Sequence, residues 1–354
     1  MSQEKMNAVV VYGKEDFRYE EVLKPKPRKE EVLVRIGRVG ICAADPKIFR
    51  GKGYFSPIVY QSAPIIAGHE FIGEVVELGP DAKQKWGLSE GDKAIMENIV
   101  PCRKCYYCLR GLYNLCEIHY IPGVKGVNGG WADYMIYPSE AIIHKVPNEL
   151  PWEAAVLIEP LSCAVYGVER VGVNLGDTVV IMGDGPIGQL MLQAAKAKNP
   201  HLLIMVGHHD KRLEAAKDLG ADIVINSKKE DPVEIVMRET RVGADVVLEA
   251  AGTESAVMQT IQMLRKRGRM LVFGVYGEKA AIDWSIISDI KELEIVGGHL
   301  APYVYPVAIR LLAEKYIRYD KIVTHTFPLK DWRRAIETAE KREGGAIKVT
   351  MAPS

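Results

Sequence analysis

A glycine motif between an apolar run and a helix most narrowly limits what this chain can fold into. The residues Gly183-Asp184-Gly185-Pro186-Ile187-Gly188 follow the apolar run Thr178 to Met182. In this setting the first glycine allows a tight turn, the second lets the backbone approach a pyrophosphate, and the third lets helix and strand pack closely. The N-terminus of the following helix offers free N–H groups to the phosphates. The motif therefore predicts a dinucleotide site formed by Gly183, Gly185, Pro186, Ile187 and Gly188.

The rest of the chain divides into three parts. Up to about residue 150 it shows short runs rich in valine and isoleucine, with glycine and proline between them, which is typical of β-strands. After Pro151 a helix is expected over Trp152 to Val171, and apolar strands then alternate with helices, which predicts an α/β, doubly wound parallel sheet. The tail ends in a short apolar strand, Ala346 to Met351, that we expect to rejoin the first domain. A length of 354 residues also favours two domains.

The ribose end of the dinucleotide site departs from the usual form. An acidic residue at the end of the second strand normally accepts a hydrogen bond from the ribose 2′-hydroxyl. Here the strand Leu202 to Val206 is followed by Gly207-His208-His209-Asp210-Lys211-Arg212. The first carboxylate, Asp210, comes about three residues after the usual position of the acid. Gly207 would leave room for a 2′-phosphate, and His208, His209 and Arg212 could donate to it. We therefore expect NAD or NADP with NADP slightly favoured; alternatively, the histidines are solvated loop residues.

Four of the six cysteines form a metal-binding pattern. Cys102, Cys105, Cys108 and Cys116 follow the spacing C-x2-C-x2-C-x7-C. Four thiolates in so short a loop can surround one Zn²⁺ in a closed structural site. Lys104 and Arg110 would partly offset its negative charge. Two disulfides or an iron–sulfur cluster are the alternatives.

A second set of candidate ligands is spread along the chain. Cys42 follows a predicted strand, His69 and Glu70 are adjacent, and Glu159 lies where the first part of the chain meets the second. One cysteine, one histidine and one carboxylate, with an open fourth position, are typical of catalytic zinc. Taken singly, each residue has a structural explanation: a buried thiol, a core histidine, a charge at a helix end.

Together these motifs resemble the zinc-containing medium-chain dehydrogenase/reductase superfamily, in its sorbitol (polyol) and threonine dehydrogenase branch. The resemblance covers essentially the whole chain. It implies that Cys42, His69 and either Glu70 or Glu159 ligate a catalytic zinc. It also implies a GroES-like β-barrel catalytic domain (residues 1–155 and 298–354), a Rossmann domain (156–297), and a homotetramer.

The chain departs from this family at several positions. Ala44 stands where relatives commonly have a serine or threonine that begins a proton relay, and Lys47 stands where many have histidine. The proton route therefore has to differ, and it could use Glu70 or Glu159. Near residue 300 the chain lacks the Arg-Tyr pair of sorbitol dehydrogenases. Candidates to shape the substrate pocket are Tyr54, His119, His299 and Tyr303, and Cys163 is a weaker candidate ligand.

The predicted function is hydride transfer between NAD(P) and a zinc-activated secondary alcohol, such as a polyol or sugar alcohol, giving a ketone or ketose. Lysine plus arginine and aspartate plus glutamate number 46 each, so no net charge attracts nucleic acid or an anionic membrane. No apolar run reaches the length of a membrane span, and we expect a soluble cytoplasmic protein. The alternatives are a metal-independent quinone or enone reductase and a non-catalytic dinucleotide-sensing protein.

Overall fold

A computed structural model describes residues 4–353 of the chain. In chain order the strands are β1 Lys5–Gly13, β2 Asp16–Leu23, β3 Val32–Gly40, β4 Ile65–Ile66, β5 Phe71–Leu78, β6 Lys93–Met96, β7 Ile121–Pro122, β8 Gly126–Val127, β9 Tyr134–Tyr137, β10 Ile143–Val146, β11 Thr178–Met182, β12 Leu202–Gly207, β13 Ile223–Asn226, β14 Ala244–Glu249, β15 Leu264–Val272, β16 Glu294–Gly297, β17 Val323–Pro328 and β18 Lys348–Ala352.

The α-helices are α1 Ala44–Phe49, α2 Ser56–Gln61, α3 Ala82–Trp86, α4 Trp152–Ala155, α5 Ile158–Val171, α6 Pro186–Lys196, α7 Asp210–Leu219, α8 Pro232–Thr240, α9 Glu254–Met263, α10 Tyr305–Ala313 and α11 Trp332–Lys341. None of the helices within residues 4–353 has the length and apolar character needed to cross a membrane.

Among the described residues, the first of two compact units contains residues 4–159, Tyr305–Glu314 and residues 323–353. Its largest sheet has the strand order β10-β6-β5-β3-β18-β17, with β9 also paired to β3. Strand β18 runs antiparallel to β3, with Thr350 opposite Gly40. The last strand of the chain thus joins the first unit, as the sequence predicted.

The core of this first unit fills the space between its sheets with apolar and aromatic side chains. Trp131, Tyr137 and Phe71 are fully buried. Phe17, Phe49 and Trp332 form an aromatic cluster with ring centroids 5.2–5.8 Å apart. This cluster joins β2, α1 and α11 within the core of the first unit.

The second unit, Pro160–Val304 with Lys315–Ile322, has a six-stranded parallel sheet. Its order, β13-β12-β11-β14-β15-β16, places β12 and β13 on one side of β11 and β14, β15 and β16 on the other. This is the doubly wound arrangement, in which ligands bind beyond the carboxyl ends of the strands where the order reverses. All five residues of β11 are buried, as expected of a central parallel strand covered on both faces.

The expected single helix over Trp152 to Val171 is instead two helices, α4 and α5. Pro160 explains the break. It lacks the N–H that would bond to the carbonyl of Val156 in a continuous helix, and its ring would clash with that carbonyl. Proline is well tolerated in the first turn of α5, and the break leaves Glu159 in that turn.

Candidate active site

Cys42, His69 and Glu70 come together because β3 and β5 are neighbours. The two strands are antiparallel, with Val39 opposite Phe71, so Cys42 follows the end of β3 beside the start of β5. The amide of Gly40 donates to the carbonyl of Glu70 over 2.8 Å. One sulfur, one ring nitrogen and one carboxylate oxygen of the three side chains lie within 4.8 Å of one another. Tetrahedral zinc sites separate such ligand atoms by roughly 3.5 Å, so this donor set fits a zinc ion.

Two glycines make this convergence possible. Gly68, immediately before His69, has φ of +89°, and a Cβ there would collide with the buried indole of Trp131. A Cβ on Gly40 would collide with the carboxylate of Glu70. Gly68 therefore leaves the space that Trp131 occupies, and Gly40 leaves the space that Glu70 occupies.

Lys348 holds the carboxylate of Glu70. It enters from β18, and its Nζ lies 2.6 Å from Glu70 Oε1 and 3.1 Å from the carbonyl of Ile41. Burial acts to lower the pKa of Lys348, but the negative charges of Glu70 and Cys42 outweigh it and the pKa is raised. The ammonium group therefore stays charged inside the core.

Asp45 supports the other two members of the set. Its Oδ2 accepts a hydrogen bond from the amide of Cys42 over 2.8 Å, and its Oδ1 lies 3.7 Å from His69 Nδ1. A carboxylate behind a metal-ligating histidine is a common way to orient the ring. Burial, the largest effect, raises the pKa of Asp45 to about 6. For His69, burial acts to lower the pKa, but the charges of Asp45 and Cys42 outweigh burial and raise the pKa well above its ordinary value.

Glu159 lies outside the group of three but influences it. Its side chain is buried in the first turn of α5. Burial raises its pKa to about 7, the charge of Glu70 adds to the rise, and a hydrogen bond with Asn98 opposes it. The sequence left Glu70 and Glu159 as alternative third ligands; Glu70 is the one that lies within the compact donor set.

The remaining candidates belong to other segments of the two units. Lys47 is exposed on α1, and Tyr54 is exposed and packs edge-on against Phe55. His119 contacts the backbone carbonyl of Cys116 through Nδ1. Cys163 is buried on α5 in the second unit, outside the donor set, and His299 and Tyr303 follow β16 in that unit.

The four clustered cysteines form a separate group. One Sγ atom from each lies within 4.8 Å of the others, and Cys102 Sγ and Cys108 Sγ are 4.0 Å apart. Four sulfurs around one zinc are separated by about 3.8 Å, whereas a disulfide requires about 2.05 Å. All six cysteines are free thiols, which excludes the disulfide alternative in this structure. Backbone N–H groups of Cys108 and Glu117 lower the pKa of Cys105 to about 6, which favours its thiolate.

The glycine motif lies between β11 and α6, at the point where the strand order of the parallel sheet reverses. Pro186 occupies the first turn of α6, and a Cβ on Gly188 would collide with the carbonyl of Gly183. This geometry agrees with the roles expected of the motif. The sequence led us to expect open space beside Gly207, but the structure places a carboxylate there. A Cβ on Gly207 would lie 2.5 Å from Asp184 Oδ2.

Sequence reasoning missed four supporting residues. Asp45, Asn98, Asp184 and Lys348 all contact candidate residues or their neighbours. Asp45 and Asp184 lie inside motifs already singled out, so their position was a usable signal. Lys348 and Asn98 gave none, because only the tertiary fold brings them to the site.

Comparisons with known proteins agree with this geometry. Residues 28–148 match the model of the alcohol dehydrogenase GroES-like domain, and residues 186–314 match that of zinc-binding dehydrogenases. Erythritol/L-threitol dehydrogenase of Mycolicibacterium smegmatis is 42% identical, with 99% of this chain and 98% of the relative aligned. Sorbitol dehydrogenase of Halalkalibacterium halodurans is 34% identical, with 97% of each chain aligned. The crystal structure of 2R,3R-butanediol dehydrogenase from Bacillus subtilis superposes with a TM-score of 0.88 at 30% identity, covering 99% of this chain and 100% of the other.

Proposed function

The chain belongs to the zinc-containing medium-chain dehydrogenase/reductase superfamily, in its sorbitol-like branch, and we propose that it oxidises a short polyol to a ketose with NAD(P). It is a zinc- and NAD(P)-dependent dehydrogenase of the polyol type. The observation that carries the proposal is the convergence of Cys42, His69 and Glu70 within 4.8 Å. A metal-independent reductase has no need for one sulfur, one imidazole and one carboxylate at a single point.

Cys42, His69 and Glu70 would hold the catalytic zinc. The chemistry that zinc supplies in such a site is Lewis acidity, which makes an alcohol hydroxyl easier to deprotonate. Asp45 orients His69 and Cys42, and Lys348 keeps the carboxylate of Glu70 in place. A preorganised site of this kind avoids rearrangement during the reaction.

A bound NAD(P) would supply C4 of its nicotinamide as the acceptor for a hydride from the carbon that bears the hydroxyl, and the hydroxyl would give up its proton. The products are a ketone or ketose, the reduced dinucleotide and a proton. We propose that Glu159 accepts this proton at a carboxylate oxygen, since Ala44 offers no hydroxyl for a relay. Its pKa, raised by burial to about 7, suits a group that gains and loses a proton near neutral pH.

The polyol class is supported by the relatives. The aligned proteins include dehydrogenases named for erythritol and L-threitol and for sorbitol. A four-carbon polyol is our first choice of substrate, because the 42% identical relative is named for two of them. Adjacent hydroxyls would also give the site two oxygens to bind, which favours a polyol over a simple alcohol.

A panel of alcohols with NAD and NADP tests the proposal. We expect oxidation of erythritol, the threitols and 2,3-butanediol with at least tenfold higher kcat/KM than 2-butanol, because one additional hydrogen bond between a substrate hydroxyl and a charged group is worth about 1.5–3 kcal/mol. Absence of any NAD(P)-linked polyol oxidation by protein that carries zinc would refute it.

We also propose a homotetramer, as the resemblance to the branch implies. Light scattering should give four times the 39.3 kDa chain mass. The four-thiolate cluster requires reduced cysteines. We therefore propose that the protein is located in the cytoplasm, where the environment is reducing.

A further inference from the structure

The tip of β12 lacks the acid that most NAD-binding folds place there. In those folds the carboxylate at the end of the second strand accepts a hydrogen bond from the ribose 2′-hydroxyl. Here β12 ends at Gly207. The nearest carboxylate along the chain, Asp210, is exposed and accepts from Asn226 Nδ2 over 2.7 Å and from Lys229 Nζ over 2.9 Å. Asp210 is therefore engaged by β13 and the residues after it.

A carboxylate nevertheless lies beside this strand tip, and it comes from the glycine motif. Asp184 Oδ2 accepts from the amides of His208 and His209 over 2.9 Å each. The ring of His209 donates from Nδ1 to the same oxygen, also over 2.9 Å. The residue is only 4% exposed. Because a Cβ on Gly207 would lie 2.5 Å from Asp184 Oδ2, glycine at 207 is what lets this carboxylate occupy the position.

The surrounding charges keep Asp184 ionised. Burial acts to raise its pKa, but the hydrogen bonds from the His208 and His209 amides and the interaction with the His209 ring outweigh burial and lower it. Arg212 Nη1 lies 3.7 Å from Oδ1. His209 Nδ1 also lies 3.1 Å from Oδ1, while both backbone amides donate to Oδ2. A carboxylate oxygen can accept more than one hydrogen bond, so Oδ1 retains capacity to accept one from a ligand. The cations at this tip are thus balanced by an internal anion.

We propose that Asp184 replaces the missing strand-tip acid and makes the site select NAD over NADP. Its carboxylate accepts the ribose 2′-hydroxyl, and its negative charge repels a 2′-phosphate at the same place. The same carboxylate pairs with His209 and Arg212, which would otherwise attract that phosphate. This inference rests on the proposed function only in assuming that the chain binds a dinucleotide. It differs from the small preference for NADP expected from the sequence, because that expectation took the space beside Gly207 to be open.

Equilibrium binding of NADH and NADPH, followed by nicotinamide fluorescence without any polyol, tests the proposal. The wild type should bind NADH at least tenfold more tightly than NADPH. Asp184→Asn keeps an oxygen for the two amides but removes the charge, and should shift the affinity ratio toward NADPH by about 100-fold. Asp210→Asn, the matched control, removes a neighbouring carboxylate and should leave the ratio within about twofold.

A transfer of the carboxylate gives a second measurement if Asp184→Asn folds poorly. The double variant Asp184→Gly with Gly207→Asp moves the acid to the usual strand-tip position, and should recover a NADH preference that Asp184→Gly alone loses. A wild type that prefers NADPH, an unchanged ratio in Asp184→Asn, or an equal shift in Asp210→Asn would overturn the proposal.

The two proposals fail in different ways. If the wild type discriminates between NADH and NADPH as expected but oxidises no polyol, the proposed function fails and the role of Asp184 stands. If the wild type binds neither dinucleotide, the proposal for Asp184 is refuted as well.

Discussion

Lys348 and Glu70 form an ion pair inside the first unit, with Lys348 Nζ 2.6 Å from Glu70 Oε1. Their side chains are only 2% and 3% exposed, and they are 278 residues apart in the sequence. A buried pair of charges has little net effect on stability compared with an apolar pair, but removal of one partner leaves the other charge buried and uncompensated. The pair therefore fixes the position of a candidate zinc ligand.

Replacing Lys348 with methionine should strongly destabilise the chain. The expected loss in the free energy of unfolding is about 3–5 kcal/mol, because Glu70 would remain buried without its counter-charge. Zinc retention should fall by about 10–100-fold, as is typical when a partner of a metal ligand is lost. Urea unfolding and zinc titration measure the two effects.

The double variant Lys348→Met with Glu70→Gln is the control for this prediction. It removes both charges and should recover much of the lost stability without recovering zinc affinity. If Lys348→Met alone were as stable as the wild type, the ion pair would have no such role.

Much of the fold could be predicted from the sequence because local patterns carry it. The apolar run Thr178 to Met182 and the glycines after it indicated a central parallel strand and its turn, and both are present. The last strand was correctly expected to join the first unit. The break between α4 and α5 was missed, because apolar periodicity continues through Val156 and Leu157 while Pro160 decides the hydrogen bonding.

The candidate site was only partly predictable. Cys42, His69 and Glu70 have chemically distinctive side chains in short motifs, so they could be selected as candidates from the sequence, and the structure brings them together. The contact of Glu70 with Lys348 could not be predicted, because it depends on how β18 lies beside β3. The carboxylate of Asp184 was likewise hidden, since its position depends on the distance between two loops.

Replacing Cys42 with serine should impair catalysis without affecting dinucleotide binding. Loss of outer partners of a metal ligand costs 10–100-fold, so loss of the ligand itself should lower kcat by about 100-fold or more. Cys163→Ser is the matched control, because this buried thiol lies outside the donor set and its replacement should leave kcat within a few fold. Wild-type turnover in Cys42→Ser would exclude this sulfur from the reaction.

Replacing Cys116 with serine should remove one of two zinc ions and lower the thermal unfolding midpoint. Cys116 is the buried member of the four-cysteine group, and its Sγ lies 3.3 Å from the amide of Cys102. A closed thiolate site stabilises the folded loop directly, because the unfolded chain has no preformed site. Metal analysis should give about one zinc per chain. Two zinc ions per chain and an unchanged midpoint would contradict the structural role.

The metal-free chain should lose stability as the pH rises toward neutrality. Burial raises the pKa of Glu159 to about 7 from 4.5. The protonated form of Glu159 is thus favoured in the folded state. Its contribution to the free energy of unfolding is fully present below about pH 4.5 and is lost as the pH rises through 7. The expected loss from this group is about 3 kcal/mol. Urea unfolding of chelator-treated protein at pH 5 and pH 8 measures it.

Glu159→Gln should reduce this pH dependence, because glutamine does not titrate, while Asp45, whose pKa is raised by burial to about 6, contributes the remaining dependence. The zinc-loaded wild type provides a contrast: zinc binding releases protons from its ligands, so the stabilisation by zinc should increase with pH. The same slope in metal-free Glu159→Gln and metal-free wild type would show that Glu159 is not the group responsible.

Anomalous X-ray diffraction on either side of the zinc absorption edge tests the central claim most directly. We expect two zinc peaks in each chain, one among the sulfurs of Cys102, Cys105, Cys108 and Cys116, and one touching Cys42, His69 and Glu70. A single peak at the four cysteines, with none at the second position in protein that oxidises a polyol, would contradict the account.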